Sequence, residues 1–134
     1  KIRKPFFVTN CDTIVDINYE DLYANHMENK NDITLVASQK EYTFPYGACK
    51  LTSKGYLSSI LEKPKFNFLI NVGLYIINPE VLNFIPKEKK FNMTDLIAKA
   101  KKSKKQVGIF PIDDSSWTDI GQWSEYHKAI DRFS

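Results

Sequence analysis

Several short stretches of this chain combine residue types that can do chemistry. Asn10-Cys11-Asp12 follows directly on an apolar run, Phe6-Phe7-Val8-Thr9. In parallel α/β sheets, ligands bind outside the carboxyl ends of the strands. A carboxylate at Asp12 is therefore placed where it could hold Mg²⁺ on a polyphosphate. The competing reading makes Asp12 and Asp16 solvated turn residues. Glu62-Lys63-Pro64 joins a carboxylate that can accept from sugar hydroxyls to an ammonium that can meet a phosphate. Pro64 biases Lys63 to an extended conformation, which sends the Glu62 and Lys63 side chains to opposite faces. A plain surface Glu-Lys pair is the alternative. Asn71-Val72-Gly73 lies inside an apolar run. Glycine there marks a bulge or a close approach by a ligand. Asp119, in Trp117-Thr118-Asp119-Ile120-Gly121, is either a helix N-cap or a metal ligand. His26 and His127 lie beside apolar helical stripes and read as structural. The chain has no Ser/His/Asp or Cys/His nucleophile set, no Walker loop and no G-x-G-x-x-G.

The elements that must position these residues follow from periodicity. The run at 5–10 reads as a buried strand. Asn18 caps a helix that begins Tyr19-Glu20-Asp21, with Tyr19, Leu22, Tyr23 and His26 on one face. Ile33–Ala37 is the next strand. Strand, helix and strand in so short a span make a βαβ unit with parallel strands. Residues 47–52 and 56–62 flank Ser53-Lys54-Gly55 as a hairpin. The strand at 69–77 follows it. Asn78-Pro79-Glu80 starts a short helix that Pro86 stops. Asn92 caps another, carrying Met93, Leu96, Ile97 and Ala100 on one face. Residues 106–112 form a strand. Trp123, Tyr126, Ile130 and Phe133 make the apolar stripe of a last helix. This order predicts a three-layer α/β domain with a mixed, mostly parallel sheet.

Composition excludes several classes. At 134 residues, with 43% hydrophobic and 26% charged residues, the chain is a single ordered domain rather than a disordered segment. Its longest apolar runs are about half of what a membrane span needs, so no membrane is expected. The net charge of +3 is carried almost wholly by lysine, with arginine only at Arg3 and Arg132. Base reading favours arginine, so no nucleic acid is expected. The lysines cluster at 87–90 and 99–105 and read as solvated helix ends and loops. Cys11 and Cys49 form no metal-binding spacing, which fits a reducing cytoplasm. The chain starts on an apolar strand rather than on Met, as a piece of something longer would.

In order along the chain stand Phe7-Val-Thr-Asn-Cys-Asp12, Tyr46-Gly47, Glu62-Lys-Pro64, Asn71-Val-Gly-Leu-Tyr75, Phe91-Asn-Met-Thr-Asp95 and Trp117-Thr-Asp-Ile-Gly121. The succession resembles the sugar-1-phosphate nucleotidyltransferases, most of all their mannose-1-phosphate guanylyltransferase-like branch. The resemblance covers nearly the whole chain. It implies a Rossmann-like domain, of which residues 1–134 are the C-terminal part. The activity implied joins a sugar 1-phosphate to a nucleoside triphosphate and releases pyrophosphate, with Mg²⁺ as cofactor. By resemblance, Asp12 and Asp119 hold the metal, with Asp12 taking part in catalysis. Asn10 binds substrate, and Gly47, Glu62, Asn71 and Gly73 line the sugar pocket as the border of one cleft. Lys63 stands near the sugar phosphate as a second catalytic residue.

The family's Asn-Gly-Asp is Asn10-Cys11-Asp12 here, which conflicts with any need for a positive φ at residue 11. The family's Gly-rich triphosphate loop has no counterpart in the chain and belongs upstream. The piece alone is therefore expected to be silent, and to pair with a second copy or pack against the missing part. A non-catalytic sugar-phosphate or sugar-nucleotide binding module is the alternative. An Asp-x-Asp glycosyltransferase fits poorly, because Asn-Cys-Asp lacks the first carboxylate.

Overall fold

A computed structural model of the chain describes residues 2–121 and residue 130. The expected last helix, with Trp123, Tyr126, Phe133 and His127, otherwise lies outside the described residues.

The strands are β1 (Phe6–Thr9), β2 (Thr13–Val15), β3 (Ile33–Thr43), β4 (Ala48–Leu51), β5 (Leu57–Leu61), β6 (Lys65–Ile77), β7 (Val107–Asp113) and β8 (Trp117–Asp119). The α-helices are α1 (Tyr19–Glu28) and α2 (Met93–Lys102), and a 3-10 helix spans Pro79–Phe84. The central sheet has the order β1-β6-β3-β7. β6 is antiparallel to both β1 and β3, while β3 and β7 are parallel. β1 and β3 thus run the same way, as the βαβ reading requires, but β6 lies between them. β1, β3 and β7 share one direction and β6 opposes them, which makes the sheet mixed.

Strand alternation gives the sheet two buried faces. Val72, Leu74 and Ile76 of β6 join Val36, Ile112 and Leu22 of α1 in one cluster. Tyr75 and Ile77 join Ile33, Val81, and Leu96 and Ala100 of α2 in the other. Helices on both sides of one sheet are the three-layer α/β architecture.

Local chemistry fixes the helix ends. The Asn18 side chain accepts from the Glu20 N–H at 2.9 Å, with Glu20 and Asp21 in the first turn where the helix dipole favours acids. Asp95 reaches back to accept the Asn92 N–H at 3.2 Å. After Asn78-Pro79 the chain makes only a 3-10 helix, and the next residue, Ile85, is already extended.

His26 is buried between α1 and the sheet. Its Nδ1 lies 2.8 Å from Thr34 Oγ1 and its Nε2 3.1 Å from Asn78 Oδ1. Asn78 Nδ2 donates to the Asn31 carbonyl, so Oδ1 is the acceptor and His26 carries its proton on Nε2. Asn31 Nδ2 donates to Thr34 Oγ1, whose own hydrogen is then free for His26 Nδ1. Every member has a partner when the ring is neutral, which makes His26 the structural histidine expected from its helical stripe.

Two elements differ from expectation. β3 continues past Ala37 to Thr43 and β6 begins at Lys65, so the two strands form a long ladder whose outer part carries polar and aromatic residues. β2 and β8 pair as a separate two-stranded sheet, joining segments a hundred positions apart. The hairpin at Ser53-Lys54-Gly55 forms as expected, with Gly55 at φ 83 and β4 antiparallel to β5.

Candidate functional site

The site is built around a bulge in β6. Opposite β3, the register shifts between Leu35 and Ala37, where Leu35 pairs with Tyr75 but Ala37 with Asn71. Two extra β6 residues are accommodated there. Gly73 makes this possible with φ 82, a conformation that side chains rarely adopt. A Cβ on Gly73 would also lie 2.6 Å from Asn10 Nδ2. The groups around the bulge are tied to one another. Asn71 Oδ1 accepts the Gly73 N–H at 3.1 Å, and Asn71 Nδ2 donates to Tyr75 Oη at 2.7 Å. Asn10 N–H donates to the Gly73 carbonyl at 2.9 Å. Thr13 Oγ1 donates to the Val72 carbonyl at 3.2 Å. The loop after β1 is thereby fastened to the bulge on both sides of Asp12.

Across that loop stands β8. Thr13 pairs with Asp119, and Ile120 N–H donates to the Asp12 carbonyl at 2.9 Å. Asp119 Oδ1 accepts the Gly121 N–H at 2.9 Å, so the carboxylate closes a turn over its own chain. A Cβ on Gly121 would lie 3.1 Å from Asp119 Oδ1 and 3.2 Å from Asp12 Oδ2. Both carboxylates therefore border the space that glycine leaves open, although the two residues are far apart in sequence. Asp12 is exposed and Asp119 half-buried. Two hard oxygen donors fit Mg²⁺, which commonly takes one or two carboxylates and completes its shell with phosphate oxygens and water. Among the described residues, no cluster of three or more His, Cys, Asp or Glu forms, so nothing here resembles an all-protein metal cage. Cys11 is an exposed free thiol, and its φ is not positive, so the cysteine does not strain the loop.

The remaining sequence candidates lie elsewhere. Gly47 and Glu62 are neighbours: a Cβ on Gly47 would lie 3.3 Å from Glu62 Oε2. Along the chain they lie beyond the outer end of the β3/β6 ladder. The ladder runs unbroken from Ala37 paired with Asn71 to Thr43 paired with Lys65, and Phe44 N–H then donates to the Pro64 carbonyl. That ladder carries the backbone over roughly 20 Å of extended strand from Asn71 to Lys65, before the chain turns at Lys63. Lys63 is corrected, because its φ of 43 is left-handed rather than extended. Its side-chain direction therefore does not follow from strand alternation. Asn10, Asp12, Asn71, Gly73 and Asp119 form one cluster; Gly47, Glu62 and Lys63 stand at the outer end of the arm.

A family model described as Nucleotidyl transferase matches residues 1–133. This chain belongs to the nucleotidyl transferase family. It is 30% identical over 132 residues to mannose-1-phosphate guanyltransferase 2 of Candida glabrata, covering 94% of this chain and 36% of that protein. It is 29% identical to the mannose-1-phosphate guanylyltransferase catalytic subunit beta of Drosophila melanogaster, covering 92% and 33%. The chain thus spans about a third of the length of these relatives. The crystal structure of HddC from Yersinia pseudotuberculosis superposes with a TM-score of 0.68 at 23% identity, covering 98% of this chain and 56% of that one. HddC has also been solved complexed with GMP-PN, which superposes with a TM-score of 0.67 at 22% identity and the same coverage. The fold is accordingly that of a nucleotidyl transferase.

Within this nucleotidyl transferase chain, two residues of the cluster are absent from the sequence-based candidates. Thr13 carries no local signal, since its bond to Val72 depends on the β6 bulge. Tyr75 was legible in part: it lies an even number of positions from Asn71 and Gly73 and so shares their strand face.

Proposed function

We propose that this chain supplies the sugar-phosphate and cation side of a nucleotidyl transfer. In that reaction an oxygen of a sugar 1-phosphate attacks the α-phosphorus of a nucleoside triphosphate. The bond to the β-phosphate breaks, and an NDP-sugar and pyrophosphate leave. The observation that carries the reading is the convergence of Asp12 and Asp119 over Gly121, with Asn71 held on the bulge to which the same loop is tied. Asp12 and Asp119 would hold Mg²⁺, whose chemistry here is to offset charge on the phosphates. Asn10, Asn71 and the backbone at Gly73 meet sugar hydroxyls. Lys63, Glu62 and Gly47 reach the substrate from the arm, with Lys63 toward the sugar phosphate. The named activities of the relatives support mannose 1-phosphate and a guanine nucleotide as the pair. No helix among the described residues is long and apolar enough to cross a membrane.

Asp12→Asn tests the cation role. Titration of Mn²⁺ against the protein, followed by paramagnetic broadening of the Gly121 amide, should show at least about tenfold weaker binding in the variant. Broadening centred elsewhere would remove the Asp12–Asp119 assignment. Release of pyrophosphate from GTP and mannose 1-phosphate, in the longest form of the protein, separates the enzyme from a module that binds sugar phosphates without turning them over.

A further inference from the structure

We infer that Tyr75 is a positioning residue, which fixes the Asn71 side chain and thereby sets how sharply the site distinguishes one hexose 1-phosphate from another. The inference rests on the sugar-phosphate reading above and extends it to a residue that does not itself meet the sugar.

The two ends of the Asn71 amide face groups of different kinds. Oδ1 accepts from the Gly73 N–H, a group that can only donate. Turning the amide over would set N–H against N–H, so Gly73 decides which end is which. Tyr75 Oη takes one of the two amide hydrogens at 2.7 Å and fixes the angle of the amide plane. Tyr75 itself is 4% exposed and packed in the cluster with Ile33, Ile77 and Leu96, so its hydroxyl is held by the core. Asn71 is exposed at the rim of that face.

Each end of the amide keeps something in reserve: one hydrogen on Nδ2 and one lone pair on Oδ1. A sugar hydroxyl both donates and accepts, so a fixed donor-acceptor pair reads where that hydroxyl stands on the ring. Sites that hydrogen-bond a hydroxyl discriminate far better than apolar walls do. Discrimination needs the reader to be held still. Freed from Tyr75, the amide can follow a hydroxyl in either configuration, and selectivity falls before affinity does.

The test compares the wild type with Tyr75→Phe, which keeps the ring and its packing, with Asn71→Ala, and with the double variant. Calorimetry gives dissociation constants for mannose 1-phosphate, glucose 1-phosphate and inorganic phosphate. The ratio between the two hexose phosphates should narrow about three- to tenfold in Tyr75→Phe, with inorganic phosphate unaffected. The same change should do nothing further in the Asn71→Ala background. In ¹H–¹⁵N spectra, one Asn71 amide proton should exchange slowly in the wild type and quickly in Tyr75→Phe. An unchanged ratio in a wild type that does bind hexose phosphates overturns this inference alone, as does an equal effect in both backgrounds. A wild type that takes neither hexose phosphate overturns the sugar-phosphate reading, and this inference falls with it.

Discussion

The inner and outer ends of the β3/β6 ladder share one hydrogen-bonding pattern and differ in what covers it. At the inner end Val72, Leu74, Tyr75, Ile76 and Ile77 are buried, with a helix on each face of the sheet. At the outer end Tyr42, Phe66 and Phe68 are 57%, 44% and 53% exposed, and the two strands pair there with each other. The candidate residues divide along the same line. Asn71, Gly73, Asn10, Asp12 and Asp119 sit where core packing fixes the backbone, and their polar groups are tied to one another. Gly47, Glu62 and Lys63 sit beyond the ladder's bare end. Groups on the packed end are preorganised by the buried core, whereas Gly47 and Glu62 flank the exposed β4/β5 hairpin. Positioning of that first kind is the kind that lowers barriers when reactants must be aligned.

The largest effect is expected from Gly73→Val. A branched side chain at φ 82, directed at Asn10, should destabilise the protein by about 3–5 kcal/mol in urea unfolding. The inner end would then fail as structure and not only as a binding site. A variant that folds like the wild type would show the bulge to be soft. Next is His26→Leu, which leaves Thr34 and Asn78 without a shared partner beneath the same end of the sheet. A loss of about 2–3 kcal/mol is expected by the same measurement. Thr13→Val, which removes one hydroxyl bond between the Asp12 loop and the bulge, should cost about 1 kcal/mol. Its fingerprint is chemical-shift change confined to residues 10–13 and 71–75.

The smallest effect belongs to the arm. Lys65 pairs with Glu41 at 2.8 Å, and that hydrogen bond, followed by the Glu41 charge, holds the Lys65 pKa above 10.5. A raised lysine pKa means that the pair's contribution is complete below about pH 10.5 and disappears as the pH rises through the folded value. Both partners are exposed, so Lys65→Met should leave the unfolding midpoint at pH 7 unmoved. A clear shift would show that the arm is held by more than its backbone.

The same division explains what could be read from the sequence. The capped helices, the Gly55 turn and the first strand are local patterns, and each forms where periodicity and caps place it. Asp12 and Asp119 were expected together through the resemblance, and what brings them together is the pairing of β2 with β8. The arm was not legible. Ser38-Gln39-Lys40-Glu41 lacks an apolar face, and these residues are strand because β6, and for Ser38 and Gln39 also β7, pairs with them. The pairing of β2 with β8 involves three residues on each side and no local signal.

Among the described residues the central sheet ends in β1 on one side and β7 on the other. β7 contains Pro111, within a stretch whose pairing to β3 is unbroken. Proline has no N–H to donate and is tolerated in a strand where its nitrogen faces away from the ladder. The outward row of β7 is therefore missing a donor at its middle and makes a poor template for another strand. β1 carries Phe6-Phe7-Val8-Thr9 with no such interruption, and Phe7 leans its ring toward Tyr19 and Tyr23. The sheet consequently has a direction of growth: a new strand meets a blunt border beside β7 and a receptive one beside β1.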